Sequence, residues 1–282
     1  ETPLPLRAGH AAMNPHDAYL VSPLRTPIGK FGGALAALTA DHLAAHLMQA
    51  VVQHAGIRPE AIDEVIVAQS YSSSEAPCMG RYAALLAGLP LETPGTTVDR
   101  RCGSGLQALV TAAMQVQTQV ADAVLVTGVE SMSNIEYYAT GVRWGGRLGD
   151  MVLHDRLDRG RARSQPPERF GPASGVAELV EPMAAAYGVT REQADAWAVG
   201  SHRKAQAAWD SGRFAEEVVA VPVKDRKGRS TLVERDEGGM AASTANAPAR
   251  DRRRLISAQS FCGASTCAIG CFASRRAVIF FG

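Results

Sequence analysis

Short apolar runs closed by turn residues alternate, through the first half of the chain, with stretches whose apolar positions recur every three or four residues. Residues 18–22 (AYLVS), ended by Pro23, read as a buried strand, and the Gly- and Pro-bearing stretch 26–33 as a loop. Asp41 is expected to cap a helix running to His54, with Leu43, Leu47, Ala50 and Val51 on its inner face and Gly56 closing it. Residues 65–69 (VIVAQ) read as a second strand, 80–86 as a short helix and 96–98 as a third strand. The chain then turns through Arg101-Cys-Gly-Ser-Gly105 into a helix, with Leu106, Leu109, Val110, Ala113 and Met114 expected as its buried stripe. Residues 121–127 (ADAVLVT) form another buried strand. This alternation predicts an α/β fold: a mostly parallel sheet, mixed at its edges, layered between helices.

From Tyr137 onward the rhythm changes. Residues 141–175 are rich in Gly, Arg, Asp and Pro, with weak periodicity. Residues 177–187 and 191–211 read as helices, the second opened by a Thr190/Gln193 capping box and stopped by Gly212. Residues 218–223 are extended again. The expected organisation is a leader at 1–13, an α/β core at 14–136, an inserted α/β subdomain at 137–238 and a tail at 239–282.

Composition excludes several classes and exposes one break. The chain has 282 residues, 46% of them apolar, and a formal net charge of +1, so no overall field recruits nucleic acid or an anionic membrane. No run of about 18 apolar residues is present to cross a membrane as a helix. Five cysteines form no disulfide framework at this length, which fits a reducing, cytoplasmic setting. Residues 1–238 carry 23 basic and 27 acidic side chains, whereas 239–282 carry six Arg, one Asp and three of the five cysteines. With Arg outnumbering Lys 25 to 4, such a shift suits a GC-rich gene read in another frame. The tail is therefore expected to be frame-shifted or truncated sequence.

Cys102 carries the chemistry. A cysteine at a strand-to-helix turn meets backbone N–H groups and the positive end of the helix dipole, both of which favour thiolate. Gly103 and Gly105 leave room for a substrate beside the backbone and supply N–H groups to hold the oxyanion formed when a thioester carbonyl is attacked. Against this stands a plain buried cysteine. Gly103-Ser-Gly105-Leu-Gln-Ala108 also fits the loose dinucleotide fingerprint, but no acidic residue ends the next strand about 20 positions on. Cys262, Cys267 and Cys271 have neither zinc nor iron–sulfur spacing, and no metal site is expected. The Arg250-Asp-Arg-Arg-Arg254 cluster reads as a solvated tail.

Three ordered segments now bear on identity: Arg25-Thr-Pro-Ile-Gly-Lys-Phe-Gly-Gly33, Val98-Asp-Arg-Arg-Cys-Gly-Ser-Gly-Leu-Gln-Ala108 and Glu130-Ser-Met-Ser133. Further on come Gly149-Asp150, Ser201-His-Arg-Lys-Ala205, Gly212-Arg-Phe214, Arg226-Lys-Gly228 and Asp236-Glu237. From about Ala18 to Gly238 this series resembles the thiolase family in order and spacing. The resemblance implies a coenzyme A-dependent acyltransferase. Cys102 would take an acyl group from acyl-CoA, and acetyl-CoA would then attack the acyl-cysteine to give a 3-ketoacyl-CoA, or the reverse. It also implies that 137–238 covers coenzyme A, with Arg226 near its nucleotide end or else an exposed hairpin arginine. Acyl-CoA enters as substrate and no covalently bound cofactor is expected. A homo-oligomer, dimer or tetramer, is implied as well, with Glu130 to Ser133 near the interface.

The departures matter too. The family's second half brings an Asn in N-E-x-F, a His in G-H-P and a second Cys in C-x-G. This chain has no His after His202, and its tail matches none of those segments. Asp99 stands where the family commonly has Asn, and Pro172-Ala173 where it often has His-Met. The chain by itself is thus expected to be acylated weakly at Cys102 and not to complete turnover. The alternatives are a non-catalytic acyl-CoA-binding or dimerising remnant and, remotely, a nucleotide-binding domain.

Overall fold

The computed structural model describes residues 17–171, 176–224, 227–237, 265–267 and 278–281. Its centre is a mixed sheet built on β1 (Tyr19–Val21), β2 (Glu64–Ala68), β3 (Gly95–Val98) and β4 (Ala123–Glu130). β3 pairs with β2 and β2 with β4, all parallel, so the carboxyl ends of these three strands share one edge. Ala and Val dominate β2 and β4, as a strand covered on both faces requires. Helix α1 (Ala40–Ala55) and helix α2 (Met79–Leu86) lie over one face, around a core that includes Leu43, Leu47, Met48, Val65, Val67 and Leu125. Helix α3 (Ser104–Gln117) covers the other, against Ile66, Val124 and Val126. The result is the helix–sheet–helix layering read from the sequence.

Two expectations fail in detail. The N-cap of α1 is Thr39 rather than Asp41, which falls inside the first turn, where its negative charge meets the positive helix end. The stripe foreseen as the buried face of α3 holds only in part: Leu109 and Ala113 pack, half-buried, against the core, but the other three do not. Ala108, Ala112 and Val116 are buried, while Leu106, Val110 and Met114 are 70%, 45% and 53% exposed. Small side chains let the helix lie close on β2 and β4, and the larger ones remain outside. An apolar helix with two usable faces gives periodicity no means to choose between them.

The segment after β4 holds β5 (Tyr137–Ala139) paired with β6 (Leu153–Asp155), then the short helices α4 (Arg156–Ala162) and α5 (Pro167–Phe170). Helices α6 (Val176–Ala186) and α7 (Arg191–Asp210) follow, and α7 opens with the expected Thr190/Gln193 capping box. The hairpin β7 (Val221–Lys224) with β8 (Ser230–Val233) closes it, and Val221 and Val223 sit in the same core cluster as α1. The end of this segment is therefore rooted in the first core. Two tail strands also join the sheet: β9 (Ser265–Cys267), antiparallel to the end of β4, and β10 (Val278–Phe281), parallel between β1 and β4. The leader, the rest of the tail, Pro172-Ala173 and Arg226 lie outside the described residues.

Candidate active site

Cys102 lies one residue before the N-cap of α3, on the turn leaving β3, and its side chain is exposed. It thus stands outside the carboxyl ends of parallel strands, where open α/β sheets bind their ligands. The turn is tightly built. Arg101 has φ +53°, a left-handed conformation uncommon for a residue with a side chain. Its N–H donates to the Asp99 carboxylate at 2.8 Å. Its carbonyl accepts the Ser104 N–H at 2.9 Å, the Ser104 hydroxyl at 2.6 Å and the Ser70 hydroxyl at 2.8 Å. The Ser104 hydroxyl also accepts the Arg100 N–H at 2.7 Å.

The two glycines behave differently. The Gly103 N–H closes the turn on the Arg100 carbonyl at 3.1 Å, so it is already engaged. The amides of Gly105 and Leu106 have no backbone acceptor among the described residues, and a Cβ on Gly105 would meet open space. Donors for an oxyanion are thus available two and three residues after Gly103, in the first turn of α3. Asp99, which departs from the family pattern, uses its carboxylate as an acceptor, a task an Asn oxygen also performs. Among the described residues no side chain hydrogen-bonds the Cys102 thiol.

Beneath the turn, loop 69–71 joins three strand ends. Arg101 donates from its guanidinium to the Ser70 carbonyl at 3.0 Å and lies over the Tyr71 ring at 5.6 Å. Glu130, at the end of β4, accepts the Ser70 N–H at 2.9 Å and the Tyr71 N–H at 3.3 Å. Burial pushes its carboxyl above the ordinary range, and these two N–H groups only partly offset that. Ser70 and Tyr71 were not visible from the sequence, because their partners lie about 30 and 60 residues away.

The other quoted segments meet as a clasp. Arg25 donates to Glu217 at 2.7 Å and, through both terminal nitrogens, to Asp236 at 2.8 and 3.2 Å. Its guanidinium packs on Phe214 and Trp209, at 5.0 and 6.0 Å from the ring centroids. The amides of Lys30 and Ala34 donate to the Glu237 carboxylate at 2.8 and 3.0 Å, and that of Gly32 to the Ser133 hydroxyl at 2.9 Å. The loop 25–34 thereby ties hairpin and core together.

A cleft of about 250 Å³, lined by Met48, Val52, Ile57 and Leu89 among others, lies at the opposite, amino end of the strands. Among the described residues no group of three or more His, Cys, Asp or Glu could hold a metal ion, and no helix is long and apolar enough to cross a membrane.

Residues 18–253 match the family model for the thiolase N-terminal domain. The chain belongs to the thiolase family. It is 36% identical over 261 residues to an acetyl-CoA acetyltransferase of Cupriavidus necator, covering 88% of this chain and 63% of that protein. It is 36% identical over 227 residues to a probable acetyl-CoA acetyltransferase of Dictyostelium discoideum, covering 80% and 53%. The crystal structure of the Bacillus anthracis acetyl-CoA acetyltransferase superposes with a TM-score of 0.79 at 31% identity, over 90% of this chain and 65% of that one. The thiolase chain described here thus spans between half and two thirds of the length of these relatives.

Proposed function

We propose that this thiolase-family chain is the acyl-accepting part of an acetyl-CoA acyltransferase, with Cys102 as the nucleophile. The observation that carries the reading is the exposed thiol on the strand–turn–helix junction, set ahead of the open amides of Gly105 and Leu106. The Cys102 sulfur attacks the thioester carbonyl of acyl-CoA and the carbon–sulfur bond to coenzyme A breaks. Coenzyme A leaves as the thiol with the proton that Cys102 gave up, and the acyl group stays on the enzyme. The α3 amides face the developing oxyanion. The acyl-CoA is a substrate, held in part by Arg226. The second step needs a base for the incoming acetyl-CoA, and none of the described side chains hydrogen-bonds the nucleophile. The chain alone is thus expected to stop at the acyl-cysteine.

An exposed nucleophilic thiol persists in a reducing compartment, which supports a cytoplasmic setting. The edge position of β3 and the exposed apolar stripe of α3 support a homo-oligomer.

Incubation with acetyl-CoA should add one acetyl group at Cys102, located by peptide mass spectrometry, with one equivalent of free coenzyme A released. The Cys102→Ala variant should show neither. Acetylation at Cys78 instead, or none, overturns the assignment. Normal thiolysis turnover by the isolated chain overturns the expectation that it stops halfway.

A further inference from the structure

We propose that Glu130 is a positioning residue for the Cys102 nucleophile, acting through Ser70 and Arg101. This inference rests on the reading of Cys102 as the acyl acceptor, but its geometry is independent of any substrate. The carboxylate holds the amides of Ser70 and Tyr71 at 2.9 and 3.3 Å, which fixes loop 69–71 against the end of β4. Ser70 then grips Arg101 at two points, its hydroxyl donating to the Arg101 carbonyl at 2.8 Å and its own carbonyl accepting the guanidinium at 3.0 Å. Arg101 is the left-handed residue immediately before Cys102. Such a conformation is strained for a residue with a side chain and persists only where its surroundings hold it.

Every link in this chain is a hydrogen bond to backbone, so the loop acts as a brace rather than a reacting group. With the brace released, Arg101 relaxes towards the right-handed region, the turn opens, and the sulfur is no longer presented to the free amides of α3. Tyr71 extends the brace to the later segment, because its ring fills the space beside Gly160 where a Cβ would stand. Glu136 accepts the Ser74 N–H at 2.9 Å and pairs with Arg156 at 2.8 Å, anchoring the same loop from its other end. Glu130 is half-buried and, among the described residues, no hydrogen bond joins it to the thiol, which separates this role from that of a general base.

The test is site-resolved alkylation of the full chain by iodoacetamide, read as the rate at Cys102 divided by the rate at Cys78. Cys78 is the internal control: it is exposed, it caps α2, and its thiol donates to the Gly95 carbonyl at 3.4 Å, outside the brace. Glu130→Ala should lower the ratio about fivefold, the effect of losing one or two net hydrogen bonds from the turn. Glu130→Gln keeps an acceptor oxygen for the same amides and should stay within about twofold of the parent. Ser70→Ala should lower the ratio in the same direction as Glu130→Ala. An unchanged or raised ratio in Glu130→Ala, equal ratios for Ala and Gln, or parallel changes at both cysteines would each overturn the proposal. Acetylation by acetyl-CoA, measured beside it, separates the two failures. If parent Cys102 alkylates as described but never acetylates, the acyltransfer reading falls and the brace stands.

Discussion

At the scale of single residues, Glu130 also makes a prediction about stability. Burial raises its carboxyl above the usual range, so the folded chain binds that proton more tightly than the unfolded chain does. Its contribution to stability is therefore full below the unfolded-state pKa and is lost as pH rises through the folded-state value. Glutamine neither titrates nor forfeits the amide acceptor. The melting temperature of Glu130→Gln relative to the parent should accordingly rise between about pH 4 and pH 7. A difference that stays flat over that range would show that the carboxyl titrates alike in both states. Glu136 works in the opposite sense: burial alone would raise it, but the Ser74 N–H and Arg156 outweigh that and hold it low. Its stabilisation is present above the unfolded pKa and fades as pH falls. Both residues were in view in the sequence, but which of two nearby half-buried glutamates is raised and which lowered depends on partners distant in the chain, which a local pattern does not encode.

At the scale of elements, the Cys102 turn follows β3, and the position of β3 depends on two glycines. A Cβ on Gly80 of α2 would collide with the Thr96 backbone, and one on Gly95 of β3 with the Arg81 backbone. Helix and strand thus touch backbone to backbone, and the Gly80 N–H donates to the Thr97 hydroxyl at 3.1 Å across the contact. Neither glycine needs a positive φ, so the requirement is for space. Gly95→Ala should destabilise by about 2 kcal/mol through overpacking, seen as a melting temperature lower by roughly 4–8 °C. It should also slow acylation of Cys102, because the strand carrying the turn shifts. An unaffected melting temperature would mean that α2 can ride outward at no cost.

The elements themselves were largely legible. Residues 18–22, 65–69, 80–86 and 96–98 each match an observed strand or helix within about two residues, because short Val/Ile runs and Gly–Pro punctuation are local signals. The turn at Cys102 was legible for the same reason. Its support from Ser70 and Glu130 was not, since those contacts cross two strands. The clasp of Arg25 with Glu217 and Asp236 spans about 200 residues and appeared in the sequence only as separate segments.

At the scale of the whole molecule, the outward part of the foreseen α3 stripe is the most informative failure of pattern reading, for Leu109 and Ala113 do pack against the core. Leu106, Val110 and Met114 follow one another at helical spacing and stand outward, and Tyr82, Leu85 and Leu91 on and after α2 are exposed too. A helix with alanines towards its own sheet and larger apolar side chains away from it is built to be covered on both sides. Left uncovered, the stripe should drive self-association. Light scattering after size exclusion should show the parent chain as dimers or larger species. A double variant, Val110→Glu and Met114→Lys, should move towards monomer. Because these side chains are already in solvent, the melting temperature should change by no more than about 1 kcal/mol equivalent. Cys102 alkylation should also persist, since the turn is held from β2 and β4 and not from the outer face of α3. A parent chain that is monomeric at high concentration would show that the stripe is tolerated in water and that the outward apolar face of α3 drives no association of the isolated chain.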